Sequence, residues 1–223
     1  MKKWFTLLTL ALCALTLTAC GGGGAPAKGS GSSSAPKAEA PAKNDAASAG
    51  KKALVVYFSR ADENYNVGVI EKGNTRILAE MIAEAMGADT FEIKPAKPYP
   101  KEYTPCTEIA KKEKNENARP EIVGTMPDVS KYDVIFLGYP IWWGDLPMPC
   151  YTFFDKVKLE SKTVAPFCTH EGSGLSGTDG YIADATKAKV TEALEMKGTT
   201  AQKSRDEAKK EVLAWLKKMG YVK

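Results

Sequence analysis

The chain has 223 residues, with 31 Lys+Arg against 27 Asp+Glu and a formal net charge of +4. Most of that excess lies in the first fifty residues. Residues 51–223 hold 26 basic and 25 acidic side chains, and with no clustered basic stripe they carry no electrostatic footprint for nucleic acid. They also form a body of about 170 residues, near the size of one domain and large enough for a full hydrophobic core.

In chain order, Met1-Lys-Lys is a short basic segment, and Trp4 to Leu17 is apolar but too short to span a bilayer comfortably. The run ends in Leu17-Thr-Ala-Cys20, which resembles a bacterial lipoprotein signal. The resemblance implies cleavage before Cys20, so that residues 1–19 leave as a signal peptide, and acylation of Cys20, which anchors the chain at a membrane. The other reading is an ordinary secretory signal in which Cys20 is incidental. Gly21 to Gly50 is almost all Gly, Ala, Ser, Pro and Lys. It buries nothing and reads as a disordered tether with an end-to-end distance of about 30 Å. The expected organisation is a signal peptide (1–19), a lipidated cysteine with its tether (20–50) and one domain (51–223), exported and held at the outer face of a bacterial membrane.

Lys52-Ala-Leu-Val-Val-Tyr-Phe-Ser59 is a continuous apolar run, the pattern of a strand buried on both faces. A polar loop follows from Arg60 to Gly73. The spacing then predicts a helix over 74–86, with Ile77, Leu78, Met81, Ile82 and Ala85 on one face and Gly87 as its C-cap. Thr90 to Lys94 alternates like an edge strand. Pro95 to Pro120 is mixed, with a polar helix from about Thr107 to Lys114. Val134-Ile-Phe-Leu-Gly138 is the third strand, stopped by Gly138 and Pro140. A short helix follows over 149–156, then a fourth strand over 163–168. A helix is expected over 182–190 and a weak fifth strand over 194–197. A closing helix over 205–219 turns Ala208, Val212, Leu213, Trp215, Leu216 and Met219 inward. Strands alternating with helices give an α/β fold, a three-layer doubly wound parallel sheet of five strands in the order 2-1-3-4-5.

In a parallel sheet the loops after strands 1, 3 and 4 share one edge, and all three are unusual. The first ends at Gly73-Asn-Thr75, where hydroxyls, an amide and free backbone N–H groups at a helix start make an anion site; plain N-capping by Asn74 or Thr75 is the alternative. The second, Tyr139-Pro-Ile-Trp-Trp-Gly144, offers flat aromatic surface, or two tryptophans that cap the core. The third, Thr169-His-Glu-Gly-Ser-Gly174, offers backbone donors where glycines allow close approach. A phosphate cradle, a stacking wall and a polar edge are what a phosphorylated aromatic cofactor needs.

Leu54-Val-Val-Tyr-Phe-Ser59, Gly73-Asn-Thr75, Gly138-Tyr-Pro-Ile-Trp-Trp-Gly144 and Thr169-His-Glu-Gly-Ser-Gly174 together resemble the flavodoxins, over nearly all of residues 51–223. Flavodoxins are the type case of the 2-1-3-4-5 order, with flavin mononucleotide (FMN) at the switch point between strands 1 and 3. The resemblance implies FMN as cofactor. Ser59, Asn74 and Thr75 would hold its phosphate, and Arg60 is counted with the cofactor-binding residues. Pro140, Ile141, Trp142, Trp143 and Gly144, with Thr169, His170, Gly172, Ser173 and Gly174, would enclose its ring. One tryptophan should face the ring while its neighbour packs away, because consecutive residues of an extended loop point in opposite directions. Three departures stand out: about fourteen residues separate Ser59 from Asn74, the domain is near neutral where electron-carrying flavodoxins are acidic, and it is exported where they are cytoplasmic. Arg60, Asn64 or Tyr65 then joins or covers the site.

His170, the only histidine, either tunes the flavin or fills space in its loop. Glu171 and Asp145 are solvated loop carboxylates or touch the cofactor. Of the five cysteines, Cys106, Cys150 and Cys168 remain in the domain. Their wide spacing fits no metal motif, and three free thiols are expected, with a Cys106–Cys150 disulfide as the alternative. The leading expectation is an electron carrier serving a redox partner protein or small electron acceptor. An FMN-dependent NAD(P)H:quinone-type reductase and a binding module without flavin are the alternatives.

Overall fold

The computed structural model describes residues 51–223; the expected signal peptide, the Cys20 lipidation site and the tether lie outside the described residues. Five segments build a parallel sheet: β1 (Ala53–Tyr57), β2 (Asp89–Glu92), β3 (Val134–Pro140), β4 (Thr163–His170) and β5 (Leu194–Lys197). Their order across it is β2-β1-β3-β4-β5, so the expected 2-1-3-4-5 topology is the observed one. Register pairs Val55 with Thr90 and Phe136, and Phe136 in turn with Ala165. Lys189–Val190 adds a short parallel piece beside the start of β4, while β5 pairs with its end, so the fifth position of the sheet is filled in two steps.

Six helices cover the sheet: α1 (Asn74–Met86), α2 (Tyr103–Asn115), α3 (Met148–Lys156), α4 (Thr178–Thr186), α5 (Gly198–Lys203) and α6 (Arg205–Lys218). Because side chains alternate along a strand, β1 feeds both layers. Ala53, Val55 and Tyr57 meet Ile77, Leu78 and Ile82 of α1 and Val212 and Leu216 of α6. Leu54 and Val56 meet Phe153 and Phe154 of α3 and Ile182 of α4. A strand used on both faces leaves no room for polar side chains, which is why β1 and β3 read as unbroken apolar runs.

Several elements differ from expectation. The strand at Val134 does not stop at Gly138 but runs on through Tyr139 to Pro140. Gly138 is a packing residue: a Cβ there would lie 2.2 Å from Cζ of Phe167, its partner on β4, whose ring is fully buried. Proline is tolerated at the last position of a strand, where a ladder donor is least needed. β4 likewise continues to His170 and takes in the first two residues of the third loop. The helix expected over 182–190 spans Thr178–Thr186 instead, and Lys187 ends it in the left-handed conformation at φ 56°, its N–H bonded to the Ala183 carbonyl. Lys189 and Val190 therefore fall in the sheet. Leu213, expected inward, is 39% exposed, because α6 buries the narrower face of Ala208, Val212, Trp215 and Leu216. The segment 60–73, read as irregular, contains an antiparallel hairpin, Asp62–Asn64 with Gly68–Ile70.

Candidate functional site

The site is assembled where β1, β3 and β4 end. A cavity of about 460 Å³ opens there, within the usual range for small-molecule sites. Its wall includes Asn64, Tyr65 and Glu171, and nine of the fourteen residues expected to hold the cofactor: Arg60, Asn74, Pro140, Ile141, Trp142, Trp143, Thr169, His170 and Ser173. The other five, Ser59, Thr75, Gly144, Gly172 and Gly174, do not line it.

The reasons are local. Ser59 Oγ accepts from the Arg76 N–H (3.0 Å), so it caps the first turn of α1 from outside the helix. Thr75 is buried, and its hydroxyl pairs with that of Thr169 at 2.8 Å, tying the first loop to the third. Asn74 is left as the side chain of that helix start on the cavity wall. Its Oδ1 accepts from Gln202 Nε2 (2.9 Å), which also donates to the Lys72 carbonyl. That holds the Asn74 amide in one orientation. Gly73 is bare for space: a Cβ there would lie 2.3 Å from Ser59 Oγ.

The tryptophan loop is a tight turn. Trp142 and Asp145 exchange both backbone hydrogen bonds, at 2.9 and 3.1 Å. The two residues between them, Trp143 (φ 54°) and Gly144 (φ 73°), both have positive φ, as in a type I′ turn. A tryptophan in that region is strained, and the strain separates the two rings. Trp142 packs edge-on against Phe58 (5.2 Å, 81°) and Tyr99 (5.1 Å, 90°). Trp143 stays 51% exposed over α2, its Nε1 donating to the Thr107 carbonyl at 2.9 Å and the Lys111 ammonium 4.8 Å from its ring centre. Behind Trp142, the Tyr99 hydroxyl donates to the Glu113 carboxylate at 2.5 Å; burial pushes the Tyr99 phenol up, and burial likewise raises Glu113.

The hairpin supplies the opposite rim. Tyr65 stacks on Tyr103, the first residue of α2, at 5.9 Å and 28°. Arg60 fixes this arrangement: its guanidinium donates to the carbonyls of Glu63, Pro100 (2.7 Å) and Lys101 (2.6 Å), and Glu63 Oε2 accepts the Tyr103 N–H (2.8 Å). Arg60 Nε is buried with no hydrogen-bond partner among the described residues. In the third loop, His170 lines the cavity and its Nδ1 accepts the Gly172 N–H at 2.9 Å. Glu171 accepts the Thr199 N–H at 2.7 Å.

Tyr103, Cys106, Thr107 and Ala110 also line the cavity and were not anticipated. They stand at i, i+3, i+4 and i+7, a helical face that a helix begun at Tyr103 rather than Thr107 would have exposed. Cys106, Cys150 and Cys168 are all buried free thiols. Burial pushes each upward, Cys168 to about 12, so none is a ready nucleophile. Among the described residues no group of His, Cys, Asp and Glu is arranged to hold a metal ion.

The flavodoxin family profile matches residues 52–219. A candidate flavoprotein of Bacteroides eggerthii DSM 20697 is 30% identical, with a TM-score of 0.60 over 75% of this chain and 96% of the other. A second, from Bacteroides uniformis ATCC 8492, is 26% identical, with a TM-score of 0.57 over 75% and 99%. A flavoprotein of Lactobacillus acidophilus NCFM, solved in complex with FMN, is 23% identical, with a TM-score of 0.54 over 69% and 97%. No curated protein matches the chain.

Proposed function

Because the chain belongs to the flavodoxin family, we propose that it is an FMN-binding flavoprotein that carries electrons at the outer face of a bacterial membrane, tethered through an acylated Cys20. The observation that carries the flavin reading is the pairing of two features in one cavity. Three half-exposed rings, Trp143, Tyr65 and Tyr103, stand on its wall beside Asn74 at the start of α1. Such rings are costly to leave in water and suit a planar guest. Asn74, with the backbone amides of Asn74 and Thr75 at the start of α1, suits a phosphate. The residues present therefore fit FMN, the cofactor bound in the Lactobacillus relative.

When bound, FMN supplies the redox ring; the chain binds it, orients it and excludes water. Trp143 offers a face, and the Tyr65–Tyr103 pair offers a second surface. The His170, Thr169 and Ser173 groups offer polar contacts along the edge. An aromatic stack contributes about 0.5–1.5 kcal/mol beyond burial. Trp143→Ala should therefore weaken FMN about two- to tenfold in a fluorescence titration, since 1.4 kcal/mol is a factor of ten. Trp142→Ala should instead lower thermal stability, because its ring packs on Phe58 and Tyr99.

The deciding experiment is rapid-mixing reduction of the purified yellow protein. A carrier bleaches with dithionite and responds slowly to NADH or NADPH; rapid bleaching by either nucleotide, with turnover on added quinone, would make it a reductase. A colourless protein that takes up no FMN would end the flavin reading. No helix of the described residues is long and apolar enough to cross a bilayer; the proposed tether is the acylated Cys20. Fatty-acid labelling should mark the wild type and spare Cys20→Ser, and equal labelling of both would refute it.

A further inference from the structure

Among the described residues, Glu171 is the one carboxylate on the cavity wall. Its oxygens collect neutral donors from two parts of the chain. The Thr199 N–H lies at 2.7 Å and the Thr199 hydroxyl at 3.4 Å, and the Asn66 side-chain amide, at the tip of the hairpin, lies at 3.4 Å. Asn74 stands close by, on the same side of Gly198: a Cβ built on Gly198 would be 2.1 Å from Asn74 Nδ2 and 2.9 Å from Glu171 Oε1. Gly198 has no side chain, so these two groups face each other across a narrow gap. The partners of Glu171 among the described residues are amides and a hydroxyl, with no lysine or arginine to neutralise it. A negative charge held by neutral donors, as Glu171 is held by Thr199 and Asn66, is held in the way a phosphate would be.

We propose that Glu171 is an internal anion that occupies the phosphate end of the cavity and sets how strongly the protein distinguishes FMN from riboflavin, its unphosphorylated counterpart. This rests on the flavin reading above. A phosphate monoester carries close to two negative charges at neutral pH. Brought up to Asn74, it meets the Glu171 carboxylate at a few ångströms, and like charges that close disfavour each other. The phosphate also competes for the donors that Glu171 now holds. The neutral ribityl end of riboflavin meets neither obstacle. Glu171 is therefore a specificity-determining residue, lowering the advantage that the phosphate would otherwise give and keeping the cofactor exchangeable.

Glu171→Gln separates charge from shape: the amide oxygen still accepts the Thr199 N–H, and only the charge is lost. Titrating the apo full-length protein and this variant with FMN and with riboflavin, read by flavin fluorescence, gives four dissociation constants. The FMN constant should fall about tenfold in the variant while the riboflavin constant stays within about twofold. FMN binding that weakens in the variant, or both constants moving together, would overturn the proposal. A second measurement does not depend on flavin: inorganic phosphate, followed through the Thr199 and Asn74 amide resonances, should shift them at lower concentration in Glu171→Gln than in the wild type. Equal phosphate titrations would also overturn it. A wild type that binds neither flavin would fail the cofactor reading alone, and the phosphate titration would then decide the role of Glu171.

Discussion

Gly138→Ala should destabilise the protein by about 1–3 kcal/mol or more, the usual cost of forcing one extra carbon into a packed core. The added methyl would sit 2.2 Å from Phe167 Cζ and 2.3 Å from Cε2. Phe167 has no exposed surface, and Gly138 lies in the middle of the sheet, paired with Tyr57 on one side and Phe167 on the other. Neither the ring nor the backbone has a free direction in which to yield. The Phe58 N–H also bonds to the Gly138 carbonyl at 2.9 Å, so a shift here moves the first residue beyond β1, against which Trp142 packs. Thermal unfolding should move down by about 2–4 °C per kcal/mol for a chain of this size. Gly180→Ala is the matched control. Gly180 lies within α4, where an added methyl would have nothing within 4 Å, and its φ is not positive, so the change should be neutral or stabilising by about 0.4–1 kcal/mol. Equal midpoints for Gly138→Ala and wild type would show that Phe167 has room the packing does not reveal.

Arg60→Met should weaken FMN about ten- to a hundredfold with a smaller change in global stability. The guanidinium holds the carbonyls of Pro100 and Lys101 at 2.7 and 2.6 Å and spans from the end of β1 to the start of α2. Hydrogen bonds to a charged group contribute about 1.5–3 kcal/mol each, and 1.4 kcal/mol is a factor of ten in binding. Without the clip, the hairpin that carries Tyr65 and the turn that carries Tyr103 lose their common anchor. The aromatic rim then has to be ordered at the moment of binding, which costs affinity. The carbonyls left behind are partly exposed and can turn to water, so the fold tolerates the loss. Arg60→Lys should recover only part of the effect, because one ammonium cannot reproduce the fork that reaches several carbonyls at once. FMN affinity in Arg60→Met equal to the wild type would remove Arg60 from the site.

Much of this was legible in the chain itself. The apolar runs at 53–57 and 134–138 allow little but buried parallel strands, and the 3.6-residue spacing after Gly73 allows little but an amphipathic helix closed by Gly87. Alternation of strand and helix, with short right-handed connections, then selects the doubly wound order. It also places the ends of the first, third and fourth strands on one edge, so the rough position of the site follows from local pattern alone.

Tertiary structure decided which of the candidate groups face the cavity. Ser59 and Thr75 are chemically suited to a phosphate, yet one caps α1 and the other pairs with Thr169. A hydroxyl serves whichever neighbour the packing brings to it, and those neighbours lie 17 and 94 residues away in sequence. Arg60 was expected to join or cover the site because of the long loop it opens, and its guanidinium binds backbone carbonyls some forty residues on. The hairpin over 62–70 and the face of α2 were missed for a related reason. Polar segments of a few residues have weak periodicity, and what fixes them is a long-range clip rather than an apolar stripe. Gly138 shows the division most simply: the sequence marks a glycine at the end of an apolar run, and only the Phe167 ring packed above it explains why no other residue fits.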